Sequence, residues 1–165
     1  MSSEILEKLK KINLFMDFIS DEKRLLKIVN ALKIESFSAG EEIIKEDEIG
    51  DKLYILNKGS VRILKSTLAK EKYTVTLLTA DQNIFFGELA LIDRDKRSAT
   101  VIAETVCEVF SIDRKSYAEI AKNDPLLGYK VTLHIAKRIS RSLRKMNEDV
   151  ITLFEALVNE VKGEN

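Results

Sequence analysis

"SFSAGEEIIKEDEIGDKLYILNKGSVRIL", residues 36–64, carries the fold in its punctuation. Short segments rich in Ile, Val, Tyr and Leu ("EEIIKE", "KLYILN", "SVRILKS") are separated by Gly40, Gly50 and Gly59, ten and nine residues apart. The same kind of segment continues outward, with "KIESF" on one side and "YTVTLLT", "ATVIAE" and "CEVFSI" on the other. The pattern thus fills residues 34–112. Regular short strands with glycine turns predict a mainly β, antiparallel architecture: a sandwich, a jelly roll or a related β-roll. No strand–helix alternation is present, so a parallel sheet is not expected.

Helical spacing flanks this block. Residues 3–33 read as helices. "EILEKLKKINLF" puts Ile5, Leu6, Leu9 and Ile12 on one face. Ser20 is placed to cap a second helix, "DEKRLLKIVNAL", with Leu25, Leu26, Ile28, Val29 and Leu32 inward. After the strands, "DRKSYAEIAKN" is helical, with Asp113 as N-cap. Asp124 then precedes Pro125, the only proline, which is a strong helix start.

Nothing interrupts that last helix before Gly163. Nearly forty residues at 1.5 Å each make a rod of about 55 Å. Ile139, Leu143, Met146, Val150, Leu153 and Leu157 alternate by four and three, which is a heptad seam. Two readings are open, a helix lying on its own domain and a coiled coil with a second copy. The seam outruns what a small β domain covers, and a bare apolar stripe invites aggregation, so self-association is the expectation. The division predicted is a β-roll domain with N-terminal helices over residues 1–123 and a dimerisation helix over 124–162.

Composition narrows the functions. The chain has 165 residues, 45% hydrophobic and 33% charged, which is neither disordered nor membrane-spanning. No uninterrupted apolar run suits a bilayer or a secretory signal, so no membrane partner is expected. Lys plus Arg equals Asp plus Glu at 27 each, which gives no electrostatic case for a nucleic-acid partner. The basic run "KRISRSLRKM" reads either as a DNA contact or as a coiled-coil flank, and the flank is preferred because it falls where the helix should pair. Cys107 and His134 are the only residues of their kinds, which excludes an intrachain disulfide and a Cys/His metal cluster. Cys107 is expected to be a packed thiol rather than a reactive one, and a cytoplasmic location is expected. No catalytic triad or metal site suggests itself, so the chain is read as a non-enzyme.

One stretch resists a purely structural reading. In "FGELALIDRDKRSATV", residues 86–101, Glu88 and Arg97 stand nine positions apart among core-type residues. Gly87 permits positive φ or close backbone approach. "GELALI" has the length of one helical turn, whose leading amides suit an anion. Arg97 adds charge-assisted contacts to phosphate oxygens, and Glu88 calls for a donor such as a sugar hydroxyl. The alternative is that Glu88 and Arg97 simply pair with each other.

The stretch resembles the phosphate-binding cassette of cyclic nucleotide-binding domains. This family includes regulatory subunits of cyclic-AMP-dependent protein kinase, cyclic-nucleotide-gated channels and catabolite activators. The family pattern, Phe-Gly-Glu-x-Ala-Leu followed after a short turn by Arg-x-Ala-Thr-Val, is matched at each fixed position. The likeness covers residues 12–122, including the opening stretch, and the helix after Pro125 resembles the activators' dimerisation helix. It implies a double-stranded β-helix, jelly-roll-like, that binds cyclic AMP, with cyclic GMP possible, as a ligand rather than a cofactor. Glu88 would accept the ribose 2′-hydroxyl. Arg97 would neutralise the cyclic phosphate, aided by the amides of Gly87, Ala90 and Leu91 and by Ser98. Leu89 belongs to the same cassette, and Ala99 keeps the wall small, although packing alone also explains Ala90 and Ala99. The base would meet Leu77 or Leu78 and, on the long helix, Ser142 and Leu143. As serines on a helix, Ser142 and its neighbour Ser140 are more often simply solvated.

Two departures stand out. Asp47-Glu48 replaces a common Gly-Asp, which is expected to alter a turn without touching the pocket. The activators continue into a DNA-binding domain, whereas this sequence stops at Asn165. The reading is therefore a homodimeric cyclic nucleotide sensor acting on an unknown downstream protein. The alternatives are an interaction module without ligand and a truncated transcription regulator.

Overall fold

The computed structural model describes residues 2–163. Helix α1 (Ser2–Lys10), a 3-10 segment (Asn13–Phe18) and α2 (Glu22–Val29) precede eight strands. The strands are β1 (Lys33–Phe37), β2 (Glu42–Ile44), β3 (Lys52–Lys58), β4 (Ser60–Ser66), β5 (Lys72–Thr79), β6 (Phe85–Phe86), β7 (Thr100–Ala103) and β8 (Cys107–Asp113). They form two four-stranded sheets, ordered β1-β8-β3-β6 and β2-β7-β4-β5, and every pairing is antiparallel. Helices α3 (Arg114–Asn123) and α4 (Pro125–Gly163) follow. This is the antiparallel β-roll with flanking helices and a long C-terminal helix that the sequence predicts.

Alternation explains the two cores. In β3, Leu53 and Ile55 face a cluster shared with α1, α2 and α4, where Leu9, Ile12, Leu25, Leu127 and Ile135 are fully buried. Tyr54 and Leu56 point the other way, into the space between the sheets, with Val61, Phe86, Val101 and Val109. Successive strand side chains point to opposite faces, so one strand serves both cores. Cys107 is buried in the second cluster, and its thiol donates to the Ser60 carbonyl at 3.1 Å. Burial pushes that thiol above its ordinary pKa, as expected for a packing residue.

The N-terminal helices differ from expectation in three ways. Asp21, not Ser20, caps α2, accepting from the Arg24 amide at 3.2 Å. Leu26 is exposed while Leu25, Ile28 and Val29 are buried. The stretch Asn13–Phe18 is a 3-10 segment rather than α-helix, which lets Leu14, Phe15 and Phe18 all turn inward.

Helix α4 begins as the sequence indicates, with the Leu127 amide donating to Asp124 at 3.2 Å. Gly128 permits α3 and α4 to touch, because a Cβ there would lie 2.6 Å from that of Ala121. The buried residues of α4 are Leu127, Gly128, Val131 and Ile135, all in its first third. Residues 141–157 are exposed without exception, so α4 leaves the domain as a bare rod. No described helix is long and apolar enough to cross a membrane.

Candidate functional site

The stretch 86–101 wraps one end of the roll. Gly87 takes φ 74°, the left-handed region that glycine enters without a Cβ penalty. It turns the chain from β6 into a 3-10 turn, Glu88–Leu91. Arg97 then returns across the turn. Its Nη1 donates to the Gly87 carbonyl at 3.0 Å and its Nη2 to the Lys52 carbonyl at 2.8 Å. Two backbone acceptors, one at the Gly87 turn and one on β3, therefore fix the guanidinium plane. Three of its five N–H donors remain for other partners. Burial lowers its pKa, opposed by Tyr54, Asp51 and Glu88.

Gly50 is part of this arrangement. A Cβ there would sit 1.9 Å from Arg97 Nε, so the arginine lies directly on the glycine backbone. The neighbouring Asp47, where the family commonly has Gly, adopts φ 68°. Asp tolerates this region better than most residues, and the Asp47 amide donates to the Arg97 carbonyl at 3.1 Å. The departure noted in the sequence thus keeps the glycine-like turn, and that turn touches the backbone of Arg97.

Glu88 and Arg97 are not an ion pair. Glu88 instead meets Arg138 of α4, Oε1 to Nε at 3.1 Å. Arg138 also donates to the Phe85 carbonyl at 3.2 Å, and its guanidinium lies 4.5 Å from the Phe85 ring centre. These contacts fasten α4 to the start of the cassette.

Between Arg97 and Glu88 lies a cavity of about 400 Å³, within the range for small-molecule sites. Its apolar wall comes from Ile44, Ile63, Phe86, Ala99 and Val101. Gly87, Glu88, Leu89, Ala90, Arg97 and Ser98 of the expected site all line it. Four cations (Lys65, Lys96, Arg97, Arg138) and three carboxylates (Glu88, Asp93, Asp95) surround it, leaving one positive charge. Such a lining suits a monoanion with an apolar body. No cluster of metal-ligating side chains occurs among the described residues.

Other expected residues lie elsewhere. Leu91 turns into the first core rather than the cavity, and the Ala90 amide donates to the Gly87 carbonyl at 3.2 Å. Leu77 is half exposed on β5, opposite Arg62, and Leu78 packs on the second core. The reason is topological: β5 is an edge strand, and the inward residue facing the cavity is Ile63 of β4. Ser142 and Leu143 are exposed on α4 beyond Arg138 and do not line the cavity of one chain. Arg138 itself was hidden in the run "KRISRSLRKM". Only the seating of α4 on the domain singles it out from the other cations there.

The family comparison settles the class. The pattern described as "Cyclic nucleotide-binding domain" matches residues 34–124. The chain belongs to the cyclic nucleotide-binding domain family. A curated relative, the cGMP-dependent protein kinase, isozyme 1, of Drosophila melanogaster, is 32% identical over 113 residues. That match takes in 68% of this chain and 14% of the kinase, so the relative is far larger than the shared domain. The Cyclic AMP receptor protein of Thermus thermophilus is 26% identical over 73% of this chain and 54% of its own length. Among solved structures, the regulatory domain of Toxoplasma gondii PKA with cAMP superposes with a TM-score of 0.73 at 30% identity. It covers 85% of this chain and 50% of that one.

Proposed function

We propose that this cyclic nucleotide-binding domain is a non-catalytic sensor that binds cyclic AMP and works as a homodimer. The observation that carries the reading is the held guanidinium of Arg97. It faces a cavity of nucleotide size that Glu88 also lines, with a net positive lining.

In this reading the remaining Arg97 donors take the cyclic phosphate, with the Ser98 hydroxyl beside them and the Gly87 turn behind. Glu88 keeps one oxygen on Arg138 and offers the other to the ribose 2′-hydroxyl. Ala90 and Ala99 leave room for the sugar, Leu89 closes the cassette side, and Ile63 and Val101 pack on the base. Ser142 and Leu143 would reach a base only in an assembly that brings α4 of a second copy alongside. Ile139, Leu143, Met146, Val150, Leu153 and Leu157 form the seam for that pairing. A ligand that engages Glu88 acts on the same carboxylate that holds Arg138, so occupancy biases the position of α4. A downstream protein would read that shift.

Cyclic GMP is the second reading. Ser98 lines the cavity and presents a hydroxyl suited to a guanine amino group, and cGMP-dependent protein kinases are among the relatives. Calorimetric titration of ligand-stripped protein with both nucleotides tests the proposal. Saturable binding of one or both with unit stoichiometry per chain is expected. No binding of either at millimolar concentration would leave only a structural module.

A further inference from the structure

The apolar face of α4 does not keep one width. From Ile139 to Met146 it is a single narrow row, Ile139, Leu143 and Met146. From Val150 a second row opens beside the first: Ile151, Phe154, Val158 and Val161, spaced three, four and three. At 3.6 residues per turn this row lies about 90° around the helix from Val150, Leu153 and Leu157. In this structure both rows are largely open: Ile151, Phe154 and Val161 are 58%, 66% and 59% exposed, and Val158 is partly buried.

The widths have different uses. A row of two apolar positions per heptad is the seam of a two-stranded coiled coil, whereas a broader face is what a helix presents to a bundle core. In a four-helix bundle each helix meets two neighbours roughly at a right angle, which is the angle between the two rows. A two-stranded dimer would cover the first row and leave the second in water, an apolar strip on each of two helices.

Charge gives the orientation. Glu148, Glu155 and Lys162 flank the second row on its outer side, while Val150 and Leu157 flank it on the other. Antiparallel packing that sets Ile151 against Val161 and Phe154 against Val158 brings Lys162 within two residues of the level of Glu148 of the neighbour, about 3 Å along the axis and within reach of an ion pair, twice per helix pair. Glu155 meets its own copy once near the centre. Parallel packing sets the charged flank against Val150 and Leu157 and gives no ion pair. Closed assemblies of this kind, two dimers related by perpendicular two-fold axes, are common.

We propose that two dimers join through residues 150–161 of α4 into an antiparallel four-helix bundle, making the chain a tetramer. The proposal rests on the homodimer reading above. Sedimentation velocity with light scattering on this chain, over a hundredfold range of concentration, tests both. The expected mass is four chains at the upper end. Ile151→Glu with Val158→Glu, which touch only the second row, should halve it and leave cyclic nucleotide binding in place. The milder pair Phe154→Gln with Val161→Gln should shift the same equilibrium partway. Leu143→Glu, on the first row, should give monomer. A wild-type chain that stays dimeric, or a tetramer indifferent to both second-row pairs, overturns this inference while the dimer reading stands. A monomeric wild type overturns both.

Discussion

Arg138 of the long helix lies 3.1 Å from the Glu88 carboxylate while its guanidinium covers the Phe85 ring at 4.5 Å. The carboxylate proposed to receive a ribose hydroxyl is thus already held by the element proposed to carry the signal. With the two side chains 39% and 13% exposed, the pair contributes about 1 kcal/mol or less to stability. Its consequence is positional. Arg138→Ala should leave the melting temperature nearly unchanged and raise amide hydrogen exchange in α4 from about Ile135 onward. Unaltered exchange there, with and without nucleotide, would remove Arg138 as the link.

Arg97→Ala should weaken cyclic nucleotide binding by about 1.5–3 kcal/mol, the usual worth of a hydrogen bond to a charged group. That is roughly ten- to hundredfold in Kd. Arg97→Lys should recover little, because one ammonium cannot keep the Gly87 and Lys52 carbonyls and still present a fork to phosphate. Calorimetry on the two variants checks both statements. Wild-type affinity in Arg97→Ala would place the ligand elsewhere.

Gly50→Ala separates binding from folding. Gly50 has no positive φ, so alanine is conformationally acceptable, but its Cβ would displace the Arg97 side chain. A loss of nucleotide affinity of about tenfold, near one misplaced charged hydrogen bond, is expected with only a small drop in thermal stability. Full affinity in this variant would show that Arg97 can rearrange without cost.

Asp124 ties three elements together. Its carboxylate accepts from Lys27 at 2.7 Å, from Arg24 at 3.0 Å and from the Leu127 amide at 3.2 Å, and it is buried. Chiefly the Lys27 contact, with the Leu127 amide and Arg24, holds its pKa below the ordinary carboxylate range, against the opposing effect of burial. The depressed folded value means this stabilisation is present above the unfolded pKa, near 4, and is lost as pH falls through the folded one. Asp124→Asn should cost about 1–2 kcal/mol at neutral pH, less than a fully buried pair because the Arg24 and Lys27 side chains left behind are 33% and 46% exposed. It should also flatten the decline of stability as the pH falls below about 4. Denaturant melts across that range, for wild type and variant, provide the check.

Much of the protein is legible in its sequence. Glycine spacing with alternating Ile, Val and Tyr is enough for antiparallel strands, because period-two patterning and turns are local properties. Asp113 and Asp124 announce their helices for the same reason: a cap needs only its own next three residues. The cassette from Gly87 to Ala99 is contiguous, so most of its residues, though not Leu91, arrive at the cavity together.

What the chain alone does not encode locally is which distant groups meet. The sequence left open whether Glu88 pairs with Arg97. The fold separates them, because backbone carbonyls on β3 and at Gly87 take the arginine and α4 delivers Arg138 to the carboxylate. It pointed to β5 for the apolar wall, and sheet order gave that place to Ile63 of β4. Sequence by itself determined the elements and the chemistry of one contiguous stretch, since these depend on neighbours a few residues apart. The tertiary structure decided the partners, since a contact between positions 88 and 138 depends on how two separately stable elements pack.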